Sequence, residues 1–390
     1  MERPATGQTP FMKIILGKDL LSESMSADDS PAKRYVRACA GGVLIGNVKT
    51  RMALLDTASQ QVPVSITDGI EPERNCYVVS MRTAYSGYAL EELKRLHRPL
   101  LTWPLKVLAK GADRLFQAAK IDKLVLINNW LLSTNLYSPG WDNTDLGALT
   151  DMLRREFPDH GIGFRSLNDF SNQGLRERLG GLGFLSIPSR QIYLFDGQAG
   201  PQSPFTRHHS TRIDASLLRR SPYTVVTGAE LNAAEFERIE HLYNLLYLKK
   251  YSSLNPQYSA HWMECGQRDG WLELRALRNV QGRIDGVVGW FTNSVIVSAP
   301  VVGYDTSLPQ KIGLYRQLTQ LSLQEAAKRQ QVLNFSAGAA DFKRVRGGQP
   351  RIEYSLIYVD HLPWGRRFVW KLLSMLLHRI GVPLMRKLKL

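Results

Sequence analysis

Pro300-Val301-Val302-Gly303-Tyr304-Asp305-Thr306-Ser307-Leu308-Pro309-Gln310-Lys311-Ile312-Gly313-Leu314-Tyr315 is the stretch around which the rest of the chain can be ordered. The run 301–304 predicts a strand, and the Pro- and Gly-punctuated segment 307–315 predicts a turn. A helix to about Gln330 follows, then a strand at 332–335, a small-residue turn with a short basic helix at 336–346, and a last strand at 352–359. A strand that turns into a helix leaves several backbone N–H groups unpaired beside the helix's positive end. Such an arrangement holds phosphate or pyrophosphate. The same residues fit a plainer pattern. Ser307 and Gln310 have capping-box spacing, and Pro309 sits where its missing donor is harmless.

Upstream, the order of elements recurs. A strand is predicted at 123–128, a helix at 146–157 capped by Asn143 or Thr144, a strand at 162–167, a helix at 173–182 and a strand at 191–195. Two similar α/β halves in tandem follow from this succession. The first copy carries Tyr137-Ser138-Pro139-Gly140-Trp141-Asp142-Asn143 where the second has its turn, so it is not expected to bind the same ligand. Short apolar runs at 43–45, 52–55, 62–66 and 77–81 predict strands, and 90–96 and 106–120 predict helices. Residues 223–227 read as a strand, Asn232 with Glu235 as a capping box, and 271–278 with 283–292 as a hairpin. The division expected is a loosely ordered arm (1–34), a first half (35–200), a Gly/Pro/Ser/His-rich linker (201–222), a second half (223–360) and a basic amphipathic tail (361–390).

The chain has 390 residues, and 44% hydrophobic with 22% charged content is enough for a full globular core. Its three cysteines, Cys39, Cys76 and Cys265, lie far apart, so neither a zinc site nor a disulfide framework is expected and a reducing cytoplasm fits. A net charge of +15 favours an anionic partner. No secretion signal is expected, nor a spanning helix, since no run approaches about 18 uninterrupted apolar residues. G-x-S-x-G, H-E-x-x-H and Walker patterns do not occur. His208 and His209 would point apart in an extended segment. Asp360 is the last acidic residue. Beyond it Val369, Leu372, Leu373, Leu376 and Ile380 form an apolar stripe among Arg366, Arg367, Lys371, Arg379, Arg386, Lys387 and Lys389. This pattern predicts peripheral contact with an anionic membrane surface on its inner face.

Gln310-x-x-Gly313-x-Tyr315 is similar to the Q/R-x-x-G-x-G/A signature of the GNAT acyltransferase superfamily, whose loop binds the pyrophosphate of an acyl-CoA. The Asn334-Phe335-Ser336-Ala337-Gly338 turn, followed by Asp341-Phe342-Lys343-Arg344, resembles the divergent branch that includes FemAB-like aminoacyl transferases and exopolysaccharide-associated acetyltransferases. The resemblance covers about the last 140 residues well and the first half weakly. It implies a tandem GNAT fold and an acyl-CoA or acetyl-CoA co-substrate without metal. It also implies direct transfer to an amine or hydroxyl acceptor in the cleft between halves. On it, Gly303, Gln310, Lys311, Ile312, Gly313, Leu314, Tyr315, Ser336 and Lys343 would bind the donor. Asp305 would accept a proton, Tyr304 would return one to the thiolate, and Asn334 would face the same cleft. Asp305 would equally shape the turn with Thr306, and Lys343 would equally belong to a solvated basic face with Arg344 and Arg346. Tyr315 departs from the small residue of the signature and would crowd a pyrophosphate unless its ring points away. Two alternatives stay open: an aminoacyl-tRNA donor, which the charge suits, and a non-catalytic lipid- or nucleic-acid-binding member of the fold.

Overall fold

The computed structural model of the chain describes residues 12–70, 74–95, 99–293 and 295–388. Among the described residues six strands come from the first half: β1 (Met12–Leu16), β2 (Arg51–Thr57), β3 (Gln61–Thr67), β4 (Leu124–Ile127), β5 (Gly161–Asn168) and β6 (Leu185–Asp196). Six come from the second: β7 (Thr224–Thr227), β8 (Glu273–Arg278), β9 (Ile284–Thr292), β10 (Ile296–Tyr304), β11 (Val332–Asn334) and β12 (Gln349–Tyr358). The helices are α1 (Gly17–Leu20), α2 (Pro31–Gly41), α3 (Tyr88–Arg95), α4 (Pro99–Ala118), α5 (Leu146–Glu156), α6 (Gln173–Gly181) and α7 (His209–Arg219). They continue with α8 (Ala233–Asn244), α9 (Ala260–Asp269), α10 (Leu314–Arg329), α11 (Ala340–Arg344), α12 (Trp364–Leu376) and α13 (Val382–Leu388).

All twelve strands join one mixed sheet in the order β1-β2-β3-β4-β5-β12-β6-β11-β10-β9-β8-β7. Read from either end, this order is the same once each first-half strand is exchanged for the second-half strand six numbers later. The two copies foreseen from the order of elements are therefore related by a pseudo-twofold axis between β6 and β12. Each half sends its last strand into the other: β12 lies between β5 and β6, and β6 lies between β12 and β11. Within each half one pair is parallel, β4 with β5 and β10 with β11. Helices cover both faces. The apolar side of α10 (Leu314, Leu318, Leu323, Ala326) packs on β9 and β10 from one side. From the other side α8 and α9 bury Ile239, Leu242 and Trp262 with Tyr35 and Val36 of α2. In the first half α5 and α6 bury Leu149, Leu153 and Leu175 against Phe164 and Leu167 of β5, a strand buried along its whole length.

The pairing of β10 with β11 spans only Ile296–Ser298 opposite Val332–Asn334. Pro300 lies just beyond, inside an irregularity of β10 between Ser298 and Val301. Proline has no N–H to give a ladder, so it suits an edge or a bulge and not a fully paired central strand. Here it marks the point where the sheet splits. Gly303 is needed near the far end of β10, because a Cβ there would lie 2.6 Å from the Tyr243 nitrogen of α8.

Several sequence expectations are corrected. Residues 12–34 of the supposed arm form β1, α1 and the start of α2; residues 1–11 lie outside the described part. The segment 201–222 is not an open linker: it contains 3-10 turns and α7, which packs beside α10 through the Arg316–Asp214 ion pair at 2.6 Å. Residues 43–45 contribute only the single bridge Ile45–Tyr258, and 77–81 form a turn entering a helix. The cap of α5 is Asp145, one residue beyond those expected, accepting the Ala148 N–H at 2.9 Å. The Asn232/Glu235 capping box forms as read. At the C-terminus one helical run, Trp364–Lys387, is long and apolar enough to cross a membrane by length and composition, contrary to expectation. In the fold it lies along the body. Val369, Trp370 and Leu373 are buried beside Phe116, Ile187 and Ile357, and Ser374 Oγ donates to the Ser186 carbonyl at 2.8 Å.

Candidate functional site

A cavity of about 560 Å³ fills the split between β10 and β11 and continues to the pseudo-twofold axis. Ala299 and Val302 of β10 form one wall, and Phe335 with the turn 336–339 forms the other. Tyr315, Tyr247 and Tyr251 lie at the second-half end, while Tyr77, Tyr85 and Tyr88 close it from the first half. Across the centre run Arg165, Arg190 and Glu353. Among the described residues the β11-facing edge of β10 has no strand partner beyond Ser298, so its backbone polar groups are left for a ligand or water.

The turn at 307–315 forms as a 3-10 turn, Gln310–Ile312, followed by Gly313 at φ 70°. The capping box does not form. Ser307 is held instead by the Asp305 carboxylate, and α10 starts at Leu314 with no side-chain cap. Among the described residues the backbone N–H groups of Leu314, Tyr315 and Arg316 have no acceptor, as expected for a first helical turn. Gly313 is required by its positive φ, and a Cβ there would also lie 2.8 Å from the end of the Leu217 side chain of α7. Gln310 and Lys311 are exposed and Ile312 half-buried, while Leu314 is buried in the core. Of the whole turn, Tyr315 alone lines the cavity. Its ring lies 4.8 Å from Phe342 and 6.0 Å from Tyr304, and burial pushes its phenol well above the ordinary range.

Other expected site residues are placed differently. Asp305 lies past the end of β10, outside the cavity lining. Arg238 at 2.6 Å and the Ser307 N–H and hydroxyl occupy its oxygens and hold its carboxyl down to about 2, against the opposing effect of burial. A carboxylate so engaged is a poor base. Tyr304 does not line the cavity. Asn334 accepts the Ser336 N–H at 3.0 Å, so it shapes the turn at the end of β11. Ser336 lines the cavity at φ 54°. Lys343 is not on a solvated face. It is buried, and its Nζ donates to the carbonyls of Phe335 (2.6 Å), Ser336 (3.2 Å) and Ala337 (2.8 Å), which braces the left-handed turn. Burial pulls its ammonium down to about 7. Gly303 faces α8. His261 is on the outer side of α9 near Cys265 and does not reach the cavity.

The central group is not one that the sequence motifs single out. Glu353 of β12 and Arg190 of β6 face each other across the pseudo-twofold pair, with Nε to Oε1 at 2.9 Å. Arg190 also donates to Thr134 Oγ1 at 2.9 Å and to the Ser133 carbonyl. Charged residues inside runs that otherwise read as buried strands were the available signal: Arg165 in Ile162–Leu167 and Glu353 in Ile352–Val359.

No protein-family model matches the sequence, and no curated protein matches it. Among solved structures, a tandem GNAT protein from the clavulanic acid biosynthesis pathway aligns with 89% of this chain and 98% of its own at 9% identity and a TM-score of 0.35. FemX aligns with 59% of this chain and 79% of its own at 9% identity and TM-score 0.45. L-PGS from Bacillus licheniformis aligns with 59% and 77% at 12% identity and TM-score 0.41. A tandem GNAT protein is thus among the solved structures that the chain is similar to.

Proposed function

We propose that the protein moves an acyl group from acyl-CoA, or a similar thioester, to an amine or hydroxyl acceptor by direct attack within the central cavity. The observation that carries this reading is the split of the sheet after Ser298. It leaves an unpaired strand edge, a cavity and the open first turn of α10 in one place. Unpaired N–H groups along that edge would polarise a thioester carbonyl, and the α10 amides with Lys311 would hold phosphate groups of the donor. Tyr315 replaces Tyr304 as the group that returns a proton to the thiolate; burial raises the proton affinity of phenol and thiolate alike. Glu353 is the one carboxylate among the described lining residues, but Arg190 engages it, so the proton lost by the attacking group would pass to water in the cavity. Peripheral attachment to an anionic membrane on its cytoplasmic side belongs to the same proposal. It is supported by Trp364 (72% exposed), Phe368, Ile380 and Leu384 on the outer side of the terminal helices, among basic residues only.

Calorimetric titration with CoA, paired with thiol release from a panel of acyl-CoAs, tests the assignment. Lys311→Glu is the informative loop variant, because the positive φ at position 313 would strain any side chain there whether or not a donor binds. Folded protein that neither binds CoA nor releases thiol, but retains a tRNA pool in a salt-sensitive manner, would favour the aminoacyl-tRNA reading.

A further inference from the structure

Where β5 meets β12 the register slips: Phe164 faces Leu356 and Leu167 faces Tyr354, so Arg165 and Ser166 together oppose the single residue Ser355. Strict alternation would send these two side chains to opposite faces of the sheet. The extra residue, with Ser166 at φ 68°, lets both line the cavity. Arg165 is only 6% exposed, yet among the described residues only its Nη1 is hydrogen-bonded, to Asn129 Oδ1 at 3.2 Å and the Leu132 carbonyl at 3.5 Å. Its guanidinium lies 5.9 Å from the centre of the Tyr77 ring, another lining residue. Ser166 is 3% exposed, and its buried hydroxyl has no hydrogen-bond partner among the described residues.

The charges in the lining do not balance. Arg165, Arg190 and Lys343 stand against Glu353 alone. Glu353 is taken by Arg190, and Lys343 by three carbonyls. Arg165 is thus a buried cation without a carboxylate of its own, an arrangement that destabilises a fold unless something else brings the charge. We propose that Arg165 and Ser166 form an anion-binding subsite, and that the acceptor carries a carboxylate or phosphate group which docks there. This rests on the transferase reading for the word acceptor; the anion site itself stands apart from it.

The probes are inorganic phosphate and glutarate, each compared with sodium chloride at equal ionic strength. Wild-type protein is expected to show a saturable rise in Tm of about 2 °C or more at ten or more times Kd with at least one of them. Whichever acts tells phosphate from carboxylate recognition. Arg165→Met is expected to lose the response and to melt higher than wild type in chloride, because the unpaired charge is gone. Arg165→Lys is expected to keep a weaker response, since a point charge replaces the planar fork. An unresponsive wild type, or a full response in Arg165→Met, overturns the proposal. Should Arg165→Met not fold, equal anion affinity in Arg165→Lys and wild type has the same force. CoA titration of the same samples keeps the two readings apart. Anion binding without CoA binding sinks only the transferase, and CoA binding without an anion response sinks only this subsite.

Discussion

Replacing Glu353 by Gln keeps the shape of the side chain and removes the single negative charge from the cavity wall. Glu353 is 2% exposed and holds Arg190 at 2.9 Å; the Arg190 side chain is 23% exposed. Breaking a fully buried pair costs about 3–5 kcal/mol, and the partial exposure of Arg190 reduces this to roughly 2–3 kcal/mol. The variant leaves two guanidinium groups in the cavity without a carboxylate. Removing Arg190 as well relieves half of that excess, so Glu353→Gln/Arg190→Gln is expected to be more stable than Glu353→Gln alone. Urea unfolding followed by tryptophan fluorescence and circular dichroism measures both, provided the two transitions coincide. A Glu353→Gln protein within about 0.5 kcal/mol of wild type, or a double variant less stable than the single one, would refute the account of the cavity charges.

Tyr315→Phe should lower turnover by at least about tenfold with donor affinity unchanged, measured by thiol release and calorimetry; equal turnover removes the proton-return role. Lys311→Glu should weaken CoA binding in a folded protein, and unchanged affinity would detach the loop from the donor. Asp305→Asn should leave turnover intact. The Asp305 carboxyl is held at about 2 in the folded chain, below its ordinary value of 3.8, so it stabilises the fold above about pH 4, and this contribution fades as pH falls toward 2. Acid-unfolding curves of the two proteins should therefore converge below about pH 2. Deleting residues 364–390 should yield aggregation or early melting because Ile357, Val359 and Leu362 lose their cover, whereas Trp364→Ser/Phe368→Ser should stay folded and sediment less with anionic vesicles.

Element order was legible because periodicity and turn residues act locally. The β10 to α10 turn, the Asn232 capping box and the recurrence of the pattern in two halves all needed only neighbouring residues. Strand exchange was not legible, since nothing in Gln349–Tyr358 states that its partners lie at 161–168 and 185–196. The site suffered for the same reason. A motif match draws Asp305 and Lys343 toward the chemistry, but Arg238 and three backbone carbonyls engage them, partners that no local pattern names. Tyr315 reads in the motif as an obstacle to a phosphate; its ring turns instead into the cavity. Arg165 and Ser166 depend on a one-residue slip in register, which arises only when two distant strands meet.

The exchange of final strands also sets a clock on the ribosome. β5 ends at Asn168, and the neighbour that covers its far edge, β12, begins at Gln349. At a synthesis rate of about 5–20 residues per second, the intervening residues take roughly 10–40 s to appear. During that interval β5 and β6 are finished, apolar and missing a partner, an invitation to pair with another nascent chain. Slowing translation between residues 200 and 349 should therefore raise the insoluble fraction more than slowing it before residue 160, even though the protein finally made is identical.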